Sequence, residues 1–306
     1  MLQMLLSDKA RNLVIEKYKN GNNHRLNHIL GVAEMASFLA KKYNCDVEKA
    51  LIASYMHDYS KYDDVSEIEK NLSNEEIAEC KKYPFLFHAY GSAYKYKEYF
   101  FDDFDEDVFN AIYNHVFGRP DMSLLEAIVM ISDYTEKNRE YPSCIECRNI
   151  LLSGKFNEAI CYSLEKTIEI VKKDGKNPHP RQLIVYNQYL KKVGKKMTLE
   201  EVLLNDLAKV KAEDILVYDM KGKSPFYDQM ILASVSSERQ AQAIVSYVTE
   251  DTLKEGYKVR SIEGVNSPWV LIDCYDSILS VFTKEERQRF SLEKIYMDIP
   301  VKNINQ

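Results

Sequence analysis

The chain reads as two domains of different class: an all-α helical bundle, then a small α/β domain built on a mixed sheet. Three observations carry that reading. Residues 1–190 are almost entirely of helical period, with apolar side chains at three- and four-residue spacing in LNHILGVAEMASFLAKKY and in SLLEAIVMISDY. After Met197 the texture changes to short β-prone runs. Between them lies KKVGKKM, Lys191 to Met197, a short lysine-rich stretch that is the expected linker. The domains are therefore expected at 1–190 and 198–306, and a length of 306 residues suits two domains better than one.

In the first domain Gly and Pro are sparse and fall at breaks: Gly91, Gly118-Arg119-Pro120, Pro142, Gly154, and Gly175 with Pro178 and Pro180. Ser123 opens an apolar helix with Glu126 three residues on, a capping box, and this helix carries Asp133 near its end. In the second domain DILVYD, QMILASV, YKVRSI, WVLIDCY and SILSVF are expected strands. SERQAQAIVSYVTEDTLKE is an expected helix with Ser236 or Ser237 as N-cap. The order helix, two strands, helix, three strands, helix gives an α/β or α+β domain.

Composition narrows the function. Apolar residues make up 45% of the chain, enough for a sizeable core in each domain. The net charge is −6 with no long basic run, which argues against binding DNA or RNA through the phosphate backbone. The charge is unevenly split: residues up to Lys196 sum to −1 and the rest to −5. If the acidic second domain meets a ribonucleoprotein, its docking surface is expected to be a basic protein rather than bare RNA. The opening MLQMLLSDKARNLVIEKY lacks the uninterrupted apolar core of a signal peptide, and no stretch is apolar enough to span a membrane. Six scattered cysteines fit a reduced, cytoplasmic protein.

The chemistry centres on His57-Asp58, with His28 upstream and Asp133 downstream, each in an apolar helix-like stretch. Two imidazoles and two carboxylates suit iron, manganese, cobalt or zinc. A divalent or trivalent metal held this way makes water a nucleophile at neutral pH, which points to hydrolysis of a phosphate ester or anhydride. A lone histidine on an apolar face is ordinarily a satisfied core residue. Four of the chain's six histidines in such contexts, His28, His57, His88 and His115, shift the balance. After ALIASYM, a charged His-Asp pair ends a buried helix and is costly there unless it binds something.

The arrangement His28, His57-Asp58, Asp133 resembles the HD-domain metal-dependent phosphohydrolases. The strings HRLNHILGVAEMA, ALIASYMHDYSK, FLFHAYGSAY, AIYNHVFGRPDMSLLEAIVMISDYTEKNR and HPRQLIVYNQYLK resemble, in order, blocks of the YqeK family within that superfamily. That family is described as symmetrical diadenosine tetraphosphatases, which cut the dinucleotide into two ADP. The resemblance implies that His28, His57, Asp58 and Asp133 hold the metal, taken to be iron. Asp58 is ligand and orienter of water, and His88 and His115 face the polyphosphate or a second metal. Lys61 is a point-charge ligand for phosphate, and Arg25, Arg119 and Arg139 offer planar forks for it. Each of these four cations could instead be an ordinary solvated or capping charge. Tyrosines, 22 in the chain, could stack on adenine, but none is singled out by the sequence.

Other signals are discounted. Cys144-x-x-Cys147 has no second pair, so both cysteines are expected to be incidental. The acidic run Asp102 to Asp107 lacks the order and glycine of a calcium loop and reads as a solvated loop or helix start. Neither a P-loop nor a dinucleotide glycine motif occurs.

The second domain has no histidine and no catalytic constellation. Asp273 and Asp276 read as turn and strand-edge residues, so a binding module is expected. DLAKVKAEDILVYDMKGKSPFYDQMILASVSSERQAQAI and WVLIDCYDSILSVFTKEERQRFSLEKIY resemble the Iojap/RsfS ribosomal silencing factor family. Asp214, Asp219, Ser236-Ser237 with Arg239-Gln240, Trp269, Asp273 and Phe282 carry the match. The resemblance implies a nucleotidyltransferase-like fold without catalytic carboxylates. It also implies binding to the large ribosomal subunit through a ribosomal protein, and a block on subunit joining. Gln229-Met230 stands where that family favours Tyr-Phe, and Ser280 where it favours His, which puts the contact surface in question but not the fold.

The expected whole is a hydrolase of diadenosine tetraphosphate or a related dinucleoside polyphosphate, fused to a ribosome-docking module, with a homodimer left open. Two alternatives remain: an HD hydrolase of another nucleotide, such as an alarmone or a dNTP, or a non-catalytic nucleotide sensor that regulates the ribosome-binding half.

Overall fold

The computed structural model describes residues 5–19, 21 and 23–304. The first four residues of the opening stretch lie outside the described residues, and the remainder of that stretch forms a helix. The chain divides into two compact units. One holds the chain up to Thr167 together with Ile184–Tyr189; the other holds Ile168–Leu183 and the chain from Leu190 onward.

The first unit is helical. Its elements are α1 (Leu6–Tyr18), α2 (Asn23–Lys42), α3 (Val47–Met56), α4 (Val65–Glu69), α5 (Asn74–Lys82), α6 (Leu86–Tyr99), α7 (Glu106–Tyr113), α8 (Leu124–Thr135) and α9 (Pro142–Leu152). They are followed by α10 (Phe156–Lys173) and α11 (Pro180–Lys192), within which the division between units falls. Short polar residues start these helices where the sequence places them. Ser123 and Glu126 form a full capping box on α8, Asp46 caps α3, and Asp105 caps α7. The acidic run at Asp102–Asp107 is thus a 3-10 turn followed by a helix start. α3 is the central helix, with Ala50, Ile52, Ala53 and Met56 buried against α1, α2, α7 and α8. Cys144 and Cys147 are both buried on α9, and the Cys147 thiol donates to the carbonyl of Ala159.

The second unit is α/β. It contains α12 (Leu199–Lys209), β1 (Glu213–Asp219), β2 (Gln229–Val235), α13 (Glu238–Lys254), β3 (Ser261–Glu263), β4 (Trp269–Asp273), β5 (Ser277–Thr283), α14 (Lys284–Phe290) and β6 (Val301–Asn303). The sheet order is β3-β4-β5-β2-β1-β6; β2 and β5 are parallel and the other pairs antiparallel, so the sheet is mixed. Ser237 rather than Ser236 caps α13, accepting from the backbone N–H of Gln240. Two details differ from the sequence reading. Of YKVRSI only the end is strand, because Gly256 ends the preceding helix and pairing with β4 begins only where the Arg260 N–H reaches the Asp273 carbonyl. A sixth strand, β6, completes the edge beside β1; its three residues, Val-Lys-Asn, are too few to read as a strand from sequence.

Alternation along the strands gives the sheet two apolar faces. Ile231, Ala233, Leu279 and Val281 face Leu203, Leu207, Ala241, Ile244 and Val248 of the helices. Met230, Leu232, Ile278 and Phe282 form the other face with Tyr218 and Met220, and Trp269, Leu292, Tyr296 and Ile299 pack against it. No helix of the described residues is long and apolar enough to cross a membrane.

Candidate metal centre

Five elements of the helical unit deliver side chains to one place. His28 comes from α2, His57 and Asp58 from the turn that ends α3, His88 from α6, His115 from just beyond α7, and Asp133 from the last turn of α8. The α3 turn is tethered from two sides. The Tyr18 hydroxyl donates to the carbonyls of Asp58 and Tyr59 at 2.9 and 2.8 Å. The Ser60 N–H donates to Ser92 Oγ on α6. A methyl at Gly91 would stand 3.1 Å from Ser60 and from Ile68, so Gly91 allows α6 its close approach.

The imidazoles are oriented through their Nδ1 atoms. Those of His57 and His115 lie 2.6 and 2.7 Å from the carbonyls of Ser54 and Ile112, and that of His28 lies 3.2 Å from Glu136 Oε1. A ring nitrogen beside an acceptor carries the proton, so in neutral His57 and His115 Nε2 presents a lone pair, and His28 does the same when its single proton sits on Nδ1 beside Glu136. Those Nε2 atoms point inward. His28 Nε2 lies 3.1 Å from Asp133 Oδ1 and 3.7 Å from Asp58 Oδ2; His57 Nε2 lies 3.6 Å from Asp58 Oδ2 and 3.9 Å from Asp133 Oδ1. Lone pairs thus face lone pairs in a buried site, and His57 Nε2 has no hydrogen-bond partner. A cation resolves that conflict. Two groups have ligand atoms within 4.8 Å of one another: His28, His57 and Asp133, and His57, Asp58 and His115. The donor set fits a metal such as iron, manganese, cobalt or zinc.

Asp58 is two-sided. Its Oδ1 lies 3.1 Å from His88 Nε2, 3.8 Å from His115 Nε2 and 3.6 Å from Lys61 Nζ. The His88 and His115 Nε2 atoms are 3.3 Å apart, and Lys61 Nζ lies 3.0 Å from His88 Nε2. On the Oδ2 side Arg25 pairs with Asp58, and Arg139 Nη2 donates to Asp133 Oδ1 at 2.6 Å.

The electrostatics follow. Burial favours the neutral carboxyl at Asp58, but His57, His88 and Lys61 outweigh it and hold Asp58 well below the usual range. Burial opposes ionisation of Asp133 too, and Arg139, His28 and His57 override it in the same direction. Burial lowers His57 and takes His88 and His115 down to about 4, so these rings are neutral at physiological pH, as ligands must be. At His28 burial pulls downward, but the neighbouring carboxylates of Asp133 and Glu136 outweigh it and raise it.

Matches to known proteins agree with this geometry. The family described as HD domain matches residues 25–138, and the family described as ribosomal silencing factor during starvation matches residues 195–306. The symmetrical bis(5′-nucleosyl)-tetraphosphatase of Halalkalibacterium halodurans is 40% identical over 171 residues, 55% of this chain and 89% of that protein. Ribosomal silencing factor RsfS of Bacillus subtilis is 35% identical over 96 residues, 31% of this chain and 81% of that protein. The chain belongs to both families. It joins an HD-domain hydrolase of the symmetrical bis(5′-nucleosyl)-tetraphosphatase family to an RsfS domain. A crystal structure of an HD superfamily hydrolase from Clostridium acetobutylicum, described as involved in NAD metabolism, is 33% identical. It covers 60% of this chain and 97% of its own, with a TM-score of 0.53.

In the HD domain, His28, His57, Asp58, His88, His115, Asp133, Lys61, Arg25 and Arg139 all join the cluster by the contacts above. Arg119 has another partner: its fork closes on the buried Glu126, Nε to Oε1 at 2.7 Å and Nη2 to Oε2 at 2.9 Å. Glu136 was not singled out by sequence, although it stands three residues after Asp133 and one helical turn along. Its side chain is buried, and a methyl at Gly31 would lie 2.3 Å from Glu136 Oε2, so Gly31 leaves room for this carboxylate. In the RsfS domain, Met230 and Ser280 are buried, and the Gln229 amide bridges Glu200 and Ser277. These three departures from the family pattern therefore alter internal packing and hydrogen bonding more than an exposed surface.

Proposed function

We propose that the HD domain, residues 1–190, hydrolyses diadenosine tetraphosphate to two ADP at a metal centre. We propose further that residues 191–197 link it to an RsfS domain, 198–306, which docks on the large ribosomal subunit and blocks subunit joining. The observation that carries the enzymatic reading is the convergence of buried Nε2 lone pairs and ionised carboxylates, flanked by Lys61, Arg25 and Arg139. His28, His57, Asp58 and Asp133 would hold the metal, iron being the choice; His115, or His115 with His88, would serve a second ion or the polyphosphate. The metal supplies Lewis acidity and lowers the pKa of water.

The protein's own groups do the rest. Asp58, a carboxylate held ionised, orients water through the oxygen not engaged by Arg25. Lys61 and Arg139 offset charge on the phosphates, Lys61 as a point charge and Arg139 as a fork shared with Asp133. Arg119 reaches phosphate only by exchanging its Glu126 partner. Water adds across the central anhydride, the bond between the two inner phosphates breaks, and each half leaves as ADP. Symmetry of products requires the metal to sit against the middle of the chain.

The acidic balance of the RsfS domain supports a basic ribosomal protein as its partner. Both activities belong to a bacterial cytoplasmic protein, and joining them on one chain would couple dinucleotide levels to subunit joining; a homodimer is compatible with this. The complete donor set favours an enzyme over a nucleotide sensor.

A substrate panel tests the first half. Among diadenosine tetraphosphate, guanosine alarmones and dNTPs, the proposal expects the dinucleotide to be turned over fastest with ADP as sole product; preference for another nucleotide contradicts it. Co-sedimentation with 50S and 30S particles tests the second half. Binding to 50S alone is expected, and no binding to either contradicts it.

A further inference from the structure

The reacting phosphates have candidate partners, but an adenine ring needs a flat apolar surface at the correct reach. Tyr62 offers one. It lies in the turn that carries His57, Asp58 and Lys61, and it is 58% exposed although large and aromatic. The Arg25 guanidinium carbon lies over its ring, 5.8 Å from the centroid, while the same guanidinium pairs with Asp58. The ring thus stands beside a guanidinium that is itself bound to Asp58. Tyr18 braces the ring edge-on, with centroids 6.3 Å apart and planes at 82°, and Tyr18 is itself anchored on the Asp58 and Tyr59 carbonyls. The ring is thus seated against the ligand turn through Tyr18.

Other exposed rings of this unit, such as Phe85 and Tyr141, stand near His88 and Arg139 in sequence. Tyr62, by contrast, touches Arg25, which itself binds Asp58. An exposed ring beside a cation can stack either purine, because every base has a π-face.

We propose that Tyr62 is the base platform of the hydrolase: one adenosine of the dinucleotide stacks on its ring while Arg25 and Lys61 take the adjoining phosphates. This rests on the nucleotide-hydrolase reading above and adds the residue that distinguishes a nucleoside polyphosphate from a bare one.

The test is calorimetric titration of the metal-loaded full chain with ADP and, separately, with pyrophosphate, for wild type, Tyr62→Ala, Tyr62→Phe and Tyr62→Trp. Tyr62→Ala is expected to weaken ADP about tenfold or more while pyrophosphate affinity changes less than about twofold. Phe and Trp keep the ring and should bind ADP about as wild type does. The proposal is overturned if Tyr62→Ala leaves ADP affinity unchanged. It is also overturned if that variant weakens ADP and pyrophosphate alike, which would place the effect in Arg25 and Asp58. Loss of ADP binding in Tyr62→Phe would overturn it as well, since the hydroxyl rather than the ring would then be what matters. Products from diadenosine tetraphosphate are measured in parallel on wild type: ADP alone with an unchanged Tyr62→Ala profile sinks the platform and keeps the hydrolase, whereas no ADP with a base-selective Tyr62→Ala profile does the reverse.

Discussion

Glu136 accepts a hydrogen bond from Nδ1 of His28 across 3.2 Å, and both side chains are buried. The contact fixes the His28 tautomer and aims Nε2 at Asp133 and Asp58. Glu136 is in turn held by the N–H of Asn138 at 2.7 Å. Carboxylates in this position tune histidine ligands, and their loss costs roughly 10- to 100-fold in metal affinity. Glu136→Ala should therefore release metal to a chelator at correspondingly lower concentration, with Glu136→Gln intermediate. Equal retention by wild type and Glu136→Ala would contradict the role.

Gly31 is the complement of that carboxylate. A Cβ there would stand 2.3 Å from Glu136 Oε2 and 3.0 Å from Asn138 Nδ2. Gly31→Ala must displace a buried, hydrogen-bonded group, so it should cost about 1–3 kcal/mol in denaturant unfolding and weaken metal retention as well. A fully stable variant that keeps its metal would show that Glu136 has another place to go.

Arg119 and Arg139 should separate. Arg139 binds Asp133, so Arg139→Ala is expected to reduce turnover by on the order of 10-fold or more through a disturbed metal ligand. Arg119 binds Glu126, which also caps α8 and accepts from the Asn114 amide. Arg119→Ala should mainly lower stability, by about 1–2 kcal/mol, with the larger share of turnover kept. Parallel thermal melts and rate measurements on the two variants check this; the reverse ordering would contradict it.

Asp206, on α12 of the RsfS domain, has a fully buried side chain 2.7 Å from Lys209. Burial pushes its carboxyl up to about 7, against the pull of Lys209. The folded value lies above the unfolded one, so the unfolded chain ionises first as pH rises. Stability contributed by this group is complete at low pH and is lost between about pH 4 and about pH 7. Asp206→Asn cannot ionise. Relative to wild type, that variant should gain about 1–3 kcal/mol over this window and no more above it, read from urea unfolding at several pH values. A constant difference across the window would contradict the buried, raised carboxyl.

The centre was legible in the sequence because its ligands are charged residues at the ends of apolar helices. His57-Asp58 after ALIASYM and Asp133 after SLLEAIVMIS each break a hydrophobic run where burial is costly. The capping boxes and main strands follow local rules and were equally readable. Glu136 escaped because a lone Glu in DYTEKNR looks like a surface helix end; only the Gly31 gap and the His28 ring give it meaning. Arg119 looked like a phosphate fork, but its partner is the Glu126 of its own neighbouring cap, a pairing no spacing rule singles out. β6 escaped because Val301, Lys302 and Asn303 are too short a run to signal a strand and become one only through register with Leu216–Tyr218.

The account rests on metal-dependent hydrolysis at Asp58, and product analysis tests it most directly. Metal-loaded full chain and Asp58→Ala are incubated with diadenosine tetraphosphate, and the nucleotides are resolved by anion exchange. ADP as sole product from the wild type, with turnover lost in Asp58→Ala, is the result predicted. ATP with AMP, no turnover with any of iron, manganese, cobalt or zinc, or undiminished turnover in Asp58→Ala would contradict it.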